Sequence, residues 1–303
     1  MKITIFGLGG VGAYLATRFT SHGLNVSCIV RGAHKKAIEE NGLKFVEYDK
    51  SITVTHPYEL QDDTTKMEKA DVVFVCVKGV DLKASCETLR PVVKDGTLII
   101  PVLNGVAASR ILQEEFPNAK VINCCTYITS MITAPGEVTM VGKFAKFNLG
   151  QGPKAIDETT IKSFVEFLKE CDIDAEYRDD ILVQMWTKYF MFSAYSACGT
   201  YFNASIGHLT GDEEKREILL KLLNENASVA KALNIGLPDN IVETTYSNLT
   251  KYDPLATTSL QRDMHTPGKG NEWELIQGEM VRLAKSHGVE TPTLEMIYNK
   301  FKK

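Results

Sequence analysis

Met1-Lys-Ile-Thr-Ile-Phe-Gly7-Leu-Gly9-Gly10-Val-Gly12 opens the chain and decides how the rest is read. Ile3, Ile5 and Phe6 predict a short buried strand, and Gly7, Gly9 and Gly12 follow at the G-x-G-x-x-G spacing. A helical pattern then starts at Val11 and runs through Leu15 and Phe19 to about His22. In such a strand–turn–helix the first glycine permits a tight turn, the second lets backbone approach a pyrophosphate, and the third lets helix pack on strand. The helix N-terminus offers N–H groups and a partial positive charge to phosphate. The candidate cofactor loop is therefore Gly7, Leu8, Gly9, Gly10, Val11 and Gly12. A glycine-rich turn used only for packing is the bland alternative, and the flanking strand and helix weigh against it.

Working outward, Asn25–Val30 predicts a second strand that ends at Arg31, about 20 residues after the glycines. An acid at that position binds the ribose 2′-hydroxyl of NAD, whereas an arginine suits a 2′-phosphate, hence NADP (NADPH). Lys35 and Lys36 add positive charge nearby. Ala33–Asn41 predicts a helix stopping at Gly42, and Leu43–Val46 with Ile52–Val54 predicts a short hairpin. Asp71–Val77 is a near-continuous apolar run, as expected of a strand covered on both faces, and it ends at Lys78. Helix Leu82–Leu89, strand Thr97–Val102, helix Ala107–Glu115 and strand Lys120–Cys124 follow. The alternation predicts an α/β fold with a Rossmann-type parallel sheet and right-handed crossovers. Lys78 and Asn104 stand at C-terminal strand ends, where such sheets bind ligands. Asn104 suits a nicotinamide amide or a substrate oxygen, although Asn-Gly is also a turn signal. Lys78 reads equally well as solvated surface. Glu137–Val141 and Lys146–Leu149, punctuated by Pro135-Gly136 and Gly142, predict antiparallel strands that extend the sheet.

Beyond Gly152 the pattern turns helical. Helix Ser163–Cys171 and a last strand, Ile173–Tyr177, precede five helical segments: Asp180–Cys198, Asp212–Leu233, Asn240–Leu249, Glu272–His287 and Thr293–Phe301. The domains are thus 1–178, binding NADP, and 179–303, an all-helical substrate and catalytic body. Thr210-x-x-Glu213 fits a capping box, and Gly236 and Gly288 stand where helix C-caps belong. Between Asp180 and His208 the only charged residue is Lys188, among Met185, Trp186, Tyr189, Phe190, Met191 and Phe192. A helix apolar nearly all round is normally buried, and desolvation lowers a lysine's pKa, which makes Lys188 a candidate proton donor. The alternative is a lysine whose stem packs while its amine reaches water. Ser259, Asp263, Glu272 and Glu274 form a second polar cluster, and spacing does not choose among its acids.

The whole-chain numbers narrow the class. A length of 303 residues suggests two domains, and a net charge of −4 speaks against nucleic-acid or membrane-surface partners. Seven cysteines without a C-x-x-C predict buried reduced thiols in a cytoplasmic protein. Met1 leads straight into the first strand, leaving no room for a signal peptide. The best candidate for a membrane span, Ile181–Phe202, is interrupted by a lysine. No His/Cys/carboxylate spacing resembles a metal site.

Taken in order, these residues resemble the ketopantoate reductase (2-dehydropantoate 2-reductase) family over the full length. The matching pieces are Gly7/Gly9/Gly12, Val30-Arg31-Gly32, Val77-Lys78, Asn104-Gly105, Trp186-x-Lys188, Ser259 with Asp263, Glu272-x-x-x-Ile-Gln-Gly278 and His287-Gly-Val-x-Thr-Pro292. The resemblance implies a Rossmann domain followed by a helical domain of the 6-phosphogluconate dehydrogenase C-terminal type. It implies reduction of an α-keto acid by NADPH, ketopantoate becoming D-pantoate on the route to coenzyme A. Lys188 would donate the proton, Glu272 would hold the substrate hydroxyl, Ser259 would bind the carboxylate and Asn104 would orient substrate and nicotinamide. Lys78 would lie near the cofactor and Arg31 would take the 2′-phosphate. The family pattern has asparagines one and two turns after the lysine, and this chain has Phe192 and Ser196 there; Ser196 is kept as a substrate contact. That departure leaves the exact keto acid open. A D-2-hydroxy-acid dehydrogenase acting on a bulkier keto acid is the runner-up, and a non-catalytic NADP sensor is the reading from another class. Oligomeric state is open, a homodimer included.

Overall fold

The computed structural model describes residues 1–79 and 82–302, and it divides into two units. One comprises Met1–Val77, Asp81–Leu103 and Ala108–Ile181; the other comprises Lys78–Val80, Asn104–Ala107 and Leu182–Lys303.

The first unit starts with β1 (Ile3–Phe6), α1 (Gly10–Ser21), β2 (Val26–Ile29) and α2 (Gly32–Asn41), followed by the hairpin β3 (Leu43–Val46) and β4 (Ile52–Thr55). Then come β5 (Glu59–Gln61), β6 (Val72–Val75), α3 (Leu82–Leu89), β7 (Leu98–Pro101), α4 (Ala108–Glu115) and β8 (Lys120–Val121). Six of these strands make one sheet in the order β5-β2-β1-β6-β7-β8, every pairing parallel. The apolar runs alternate faces, as a doubly covered sheet requires. Val72 and Phe74 join Ala13, Leu15 and Phe19 of α1 on one face, and Val73 and Val75 join Leu82, Leu89 and Leu112 on the other.

The chain then departs from the sequence-based expectation. The strand predicted over Lys120–Cys124 stops at Val121, and the backbone passes into a second sheet as β9 (Asn123–Ala134). The strands predicted at Glu137–Val141 and Lys146–Leu149 are one long strand, β10 (Glu137–Gly150), and they do not extend the parallel sheet. A register shift between Met140 and Ala145 lets that single strand pass Gly142, which reads in the sequence as a break. β10 pairs with β9 along one edge; its other edge pairs with β3 near its start and with β11 (Asp174–Tyr177) near its end. Between them, α5 (Glu158–Glu170) begins five residues earlier than the apolar pattern suggests, because the Asp157 carboxylate caps it by accepting from Thr159 N–H at 3.0 Å.

No strand follows β11 among the described residues. The second unit is made of α6 (Ile181–Phe202), α7 (Ile206–Gly211), α8 (Glu213–Ala232), α9 (Ile241–Leu249), α10 (Ser259–Met264), α11 (Glu279–Ser286) and α12 (Pro292–Phe301). Trp186, Tyr189, Phe190, Leu222, Ile276 and Met280 lie in its core. Two short helices, α7 and α10, were invisible to periodicity at six residues each. The expected capping box at Thr210 is not formed: Thr210 lies inside α7 and donates to the Ile206 carbonyl, while Asp212 caps α8 by accepting from Lys215 N–H. Gly236 is not a C-cap either. Asn234 takes the left-handed conformation that ends α8 (φ 55°), and Gly288 does so after α11 (φ 66°). Among the described residues no helix is long and apolar enough to cross a membrane.

Replacing Asp157 by Ala tests the corrected start of α5. Urea unfolding should show a lowered midpoint, as removal of such a cap does. An unchanged midpoint would return the helix start to Ser163.

Candidate functional site

The C-terminal ends of β1, β2 and β6 lie side by side, and a cavity of about 460 Å³ opens there. Gly7, Leu8 and Gly9 line it from one side, Val30, Arg31 and His34 from a second, and Val77 with Thr88 from a third. Gly7 has φ 97°, which a side chain would strain, and a Cβ on Gly12 would collide with the Gly7 carbonyl. The first and third glycines therefore make a turn-to-helix contact closer than any other residue allows. Gly9 differs: a Cβ there would meet nothing within 4 Å, so its side of the loop is open. No side chain caps α1 and its first turn carries no acid, so the N–H groups of that turn, just after the cavity-lining Gly9, have neither a capping side chain nor a competing anion within the turn. The Ser130 hydroxyl, buried and without a hydrogen-bond partner among the described residues, lies 2.6 Å from where a Gly10 Cβ would stand. Arg31 is exposed at the end of β2, its guanidinium 3.4 Å from the Thr88 hydroxyl. An open glycine backbone, an uncapped helix start, an orphan hydroxyl and a rim arginine suit a dinucleotide phosphate chain.

The second cluster lies within the second unit. Glu272 is buried just before the turn that leads into α11, with 9% of its surface exposed. Its carboxylate accepts from Gly79 N–H at 3.2 Å and from the Asn104 amide at 3.3 Å. Beside it, the buried Asp263 takes Lys78 on one oxygen at 2.7 Å and Lys269 on the other at 2.8 Å. Burial pushes the Glu272 carboxyl above its ordinary value; the Gly79 and Asn104 hydrogen bonds and the Lys78 charge pull it partly back, and Asp263 adds to the rise. A carboxyl so placed can hold a proton or a substrate hydroxyl.

Lys188 lies on α6 in a half-buried stripe with Val183, Gln184, Thr187, Met191 and Phe192. The helix is therefore not enclosed all round, as its composition alone predicts. Its opposite side is locked to the chain that carries Glu272. Residues Glu274–Gly278 form a π-helical turn. Within it Gln277, fully buried, donates to the Ser193 carbonyl and to Ser196 Oγ, both at 3.0 Å, and accepts from the Ser193 hydroxyl at 2.9 Å. Tyr189 donates to the Ile276 carbonyl at 2.7 Å. π-turns occur disproportionately at functional sites.

Among the residues singled out in the sequence, the structure joins Asn104 to Glu272 and Lys78 to Asp263. The others make different contacts. Ser196 is fully buried and gives its hydroxyl proton to the Phe192 carbonyl, so it packs helix against helix instead of facing a ligand. Ser259 is exposed at the start of α10, next to Thr258, which caps that helix. Glu274 accepts from the Tyr298 hydroxyl and stands near Arg282, outside the cluster. The cavity lining includes Val77 but neither Lys78 nor Asn104. Gly79 and Lys269 escaped sequence reasoning, and Gln277 entered it only within the run Glu272-x-x-x-Ile-Gln-Gly278, without a role. Gln277 alone left a signal, as the polar residue of an otherwise apolar Leu-Ile-Gln-Gly run.

Comparison with known proteins agrees along the whole length. The profile of the family described as Ketopantoate reductase PanE/ApbA matches residues 3–154, and that of its C-terminal part matches 180–303. A 2-dehydropantoate 2-reductase of Lactococcus lactis is 25% identical over 304 residues, covering 98% of this chain and 96% of its own. The fold is shared with a PanE/ApbA family ketopantoate reductase from Ralstonia eutropha JMP134, with TM-score 0.89, 22% identity, and 100% and 97% of the two chains covered. It is shared also with a D-mandelate dehydrogenase solved with NADH and anilino(oxo)acetate, with TM-score 0.87, 21% identity, and 99% and 97% covered.

The raised pKa of Glu272 has a stability consequence of definite sign. The native state holds this proton more tightly than the unfolded chain, so its contribution is fully present below the unfolded value and is lost as pH rises through the folded one. Urea unfolding of wild type and Glu272→Gln between about pH 4 and 7 should show the wild type losing ground to the variant as pH rises. A difference independent of pH would mean that the carboxyl is not displaced.

Proposed function

Because the chain belongs to the ketopantoate reductase PanE/ApbA family, we propose that it reduces 2-dehydropantoate (ketopantoate) to D-pantoate with NADPH, in the biosynthesis of pantothenate and coenzyme A. It is an oxidoreductase acting on a CH–OH group, and its cofactor is a nicotinamide dinucleotide, NADPH in this family. The observation that supports the substrate reading most is the gathering of Lys78, Gly79, Asn104 and Asp263 around Glu272, across sequence separations of up to 193 residues.

Bound in the glycine-loop cavity, the cofactor supplies a hydride to the carbonyl carbon of the keto acid. The N–H groups at the start of α1 hold the pyrophosphate, and Arg31 pairs with the 2′-phosphate. Asn104 orients the substrate by donating to its oxygen, and Lys78, paired with Asp263, keeps positive charge near Glu272. Glu272 accepts the substrate hydroxyl and fixes its position, and Ser259 takes the carboxylate. Lys188 gives a proton to the carbonyl oxygen as charge develops there. The enzyme acts on a small molecule in the cytoplasm.

A second reading rests on Phe192. It stands one turn beyond Lys188 on the same half-buried stripe, where a phenyl ring offers an apolar wall and no hydrogen bond. Such a wall suits a bulkier or aromatic keto acid, and D-mandelate dehydrogenase shares the fold.

NADPH oxidation, followed by absorbance, separates these readings. Turnover selective for ketopantoate is expected; turnover only with aromatic or larger 2-keto acids would favour the second reading. NADPH binding without turnover of any keto acid would leave a non-catalytic sensor. Lys188→Ala should lower turnover at least about 100-fold, and near-normal turnover would remove the proton-donor role. Arg31→Asp should move preference from NADPH toward NADH; a wild type that already prefers NADH would overturn the role given to Arg31.

A further inference from the structure

His34, on the first turns of α2, touches three parts of the first unit. It lines the glycine-loop cavity. Its Nε2 lies 2.9 Å from the Leu8 carbonyl, inside the glycine loop, and its Nδ1 lies 2.9 Å from the backbone nitrogen of Gly136, in the turn between β9 and β10. A backbone N–H can only donate and a carbonyl can only accept, so these two neighbours dictate the ring's state. Nδ1 carries the lone pair, Nε2 carries the hydrogen, and the imidazole is neutral.

The hairpin it reaches is pressed against the loop elsewhere as well. A Cβ on Gly10 would collide with the Ser130 carbonyl of β9, and Ile132 of the same strand lines the cavity. Gly136 sits at φ 78° with Ala37 of α2 only 3.0 Å from where its Cβ would be, so the turn approaches α2 closely enough for the ring to bridge. Leu8 is the residue between the first two glycines, and its carbonyl orientation sets the direction of the peptide that leads into Gly9.

We infer that His34 is a positioning residue for the cofactor site: held as the Nε2–H tautomer by Gly136, it fixes the Leu8 carbonyl and so presets the glycine loop for the dinucleotide phosphates. This rests on the glycine loop being the cofactor's seat. Arg31 lies three residues before it on the same cavity wall. Lys35 is neutralised by Glu39, and Glu137, beside Gly136, is neutralised by Lys44. Burial keeps the ring below the usual histidine range, against the pull of the Leu8 carbonyl. Protonation would put a hydrogen on Nδ1 facing the Gly136 N–H and break the tie.

Two measurements test it on the full chain. Nitrogen-15 NMR of the wild type, without cofactor, should show His34 with Nδ1 unprotonated and Nε2 protonated, and still neutral at a pH where free histidine has half titrated. An Nδ1–H tautomer overturns the inference. NADPH binding, followed by cofactor fluorescence, should weaken about tenfold in His34→Phe, which fills the space without the hydrogen bonds. It should recover in part in His34→Gln, whose amide both donates and accepts, with KM for NADPH rising more than kcat falls. His34→Phe binding NADPH as the wild type does would reduce His34 to a space-filler and overturn the inference. A wild type that binds no NADPH would instead sink the cofactor-seat reading and this inference with it, while the tautomer would still report the hydrogen bonds. The NMR test needs no variant, so a variant that fails to fold does not shield the claim.

Discussion

The constraint on which the cavity depends is the close approach of Gly12 to the Gly7 carbonyl. It lets the start of α1 come down onto the end of β1 with no side chain between them. Given that contact, α1 lies along one face of the sheet, its Ala13, Leu15 and Phe19 fill the layer beneath, and the helix begins without a side-chain cap directly after the cavity-lining Gly9. The neighbouring strand ends then fall beside it because every pairing in the sheet is parallel. The cavity's position is thus a consequence of local backbone geometry, and side chains such as Arg31 stand on its wall.

How much of this could be read in the sequence follows from which forces are local. The glycine turn, β1, α1, α3 and the strands β2, β6 and β7 are specified by short-range pattern and stand within a residue or two of expectation, whereas β8 ends three residues early and the short edge strand β5 has no counterpart in the sequence reading. The second sheet was not legible in the same way. β9 and β10 are long, half-exposed strands that pair with each other, and β10 also takes β3 and β11 as partners from elsewhere in the sequence, so pairing and not periodicity defines this sheet. Capping was misread where two candidate residues competed: Asp212 stood in for Thr210 and Asn234 for Gly236. The carboxylate cluster shows the same limit. Asp263, Glu272, Lys78 and Asn104 could be nominated by type and by family resemblance, but nothing in the spacing of Glu272 from Asn104 says that they meet. Ser196 was nominated by position after Lys188, and burial gave it to Gln277.

The second unit combines an apolar core with a small set of buried polar ties. Ser193, Ser196 and Gln277 satisfy one another, so their burial is not a liability. Apolar packing resists a slide of α6 along the segment after Glu272 through side-chain fit, and a slide would also strand these buried polar groups. The ties single out one register, and α6 is also the helix that bears Lys188. Under the roles proposed for Lys188 and Glu272, that register holds an ammonium and a carboxyl in fixed relation, as proton transfer at a defined atom demands.

The π-turn over Glu274–Gly278 amounts to one residue more than an α-helix would need to cover the same rise. Each residue of an α-helix turns the chain by about 100°. Loss of a single residue from this turn would leave an ordinary helix of similar stability, with everything before it rotated by that angle and Glu272 facing elsewhere. Length variation at this point is therefore a one-step route by which descendants of the fold could keep their core and abandon their chemistry.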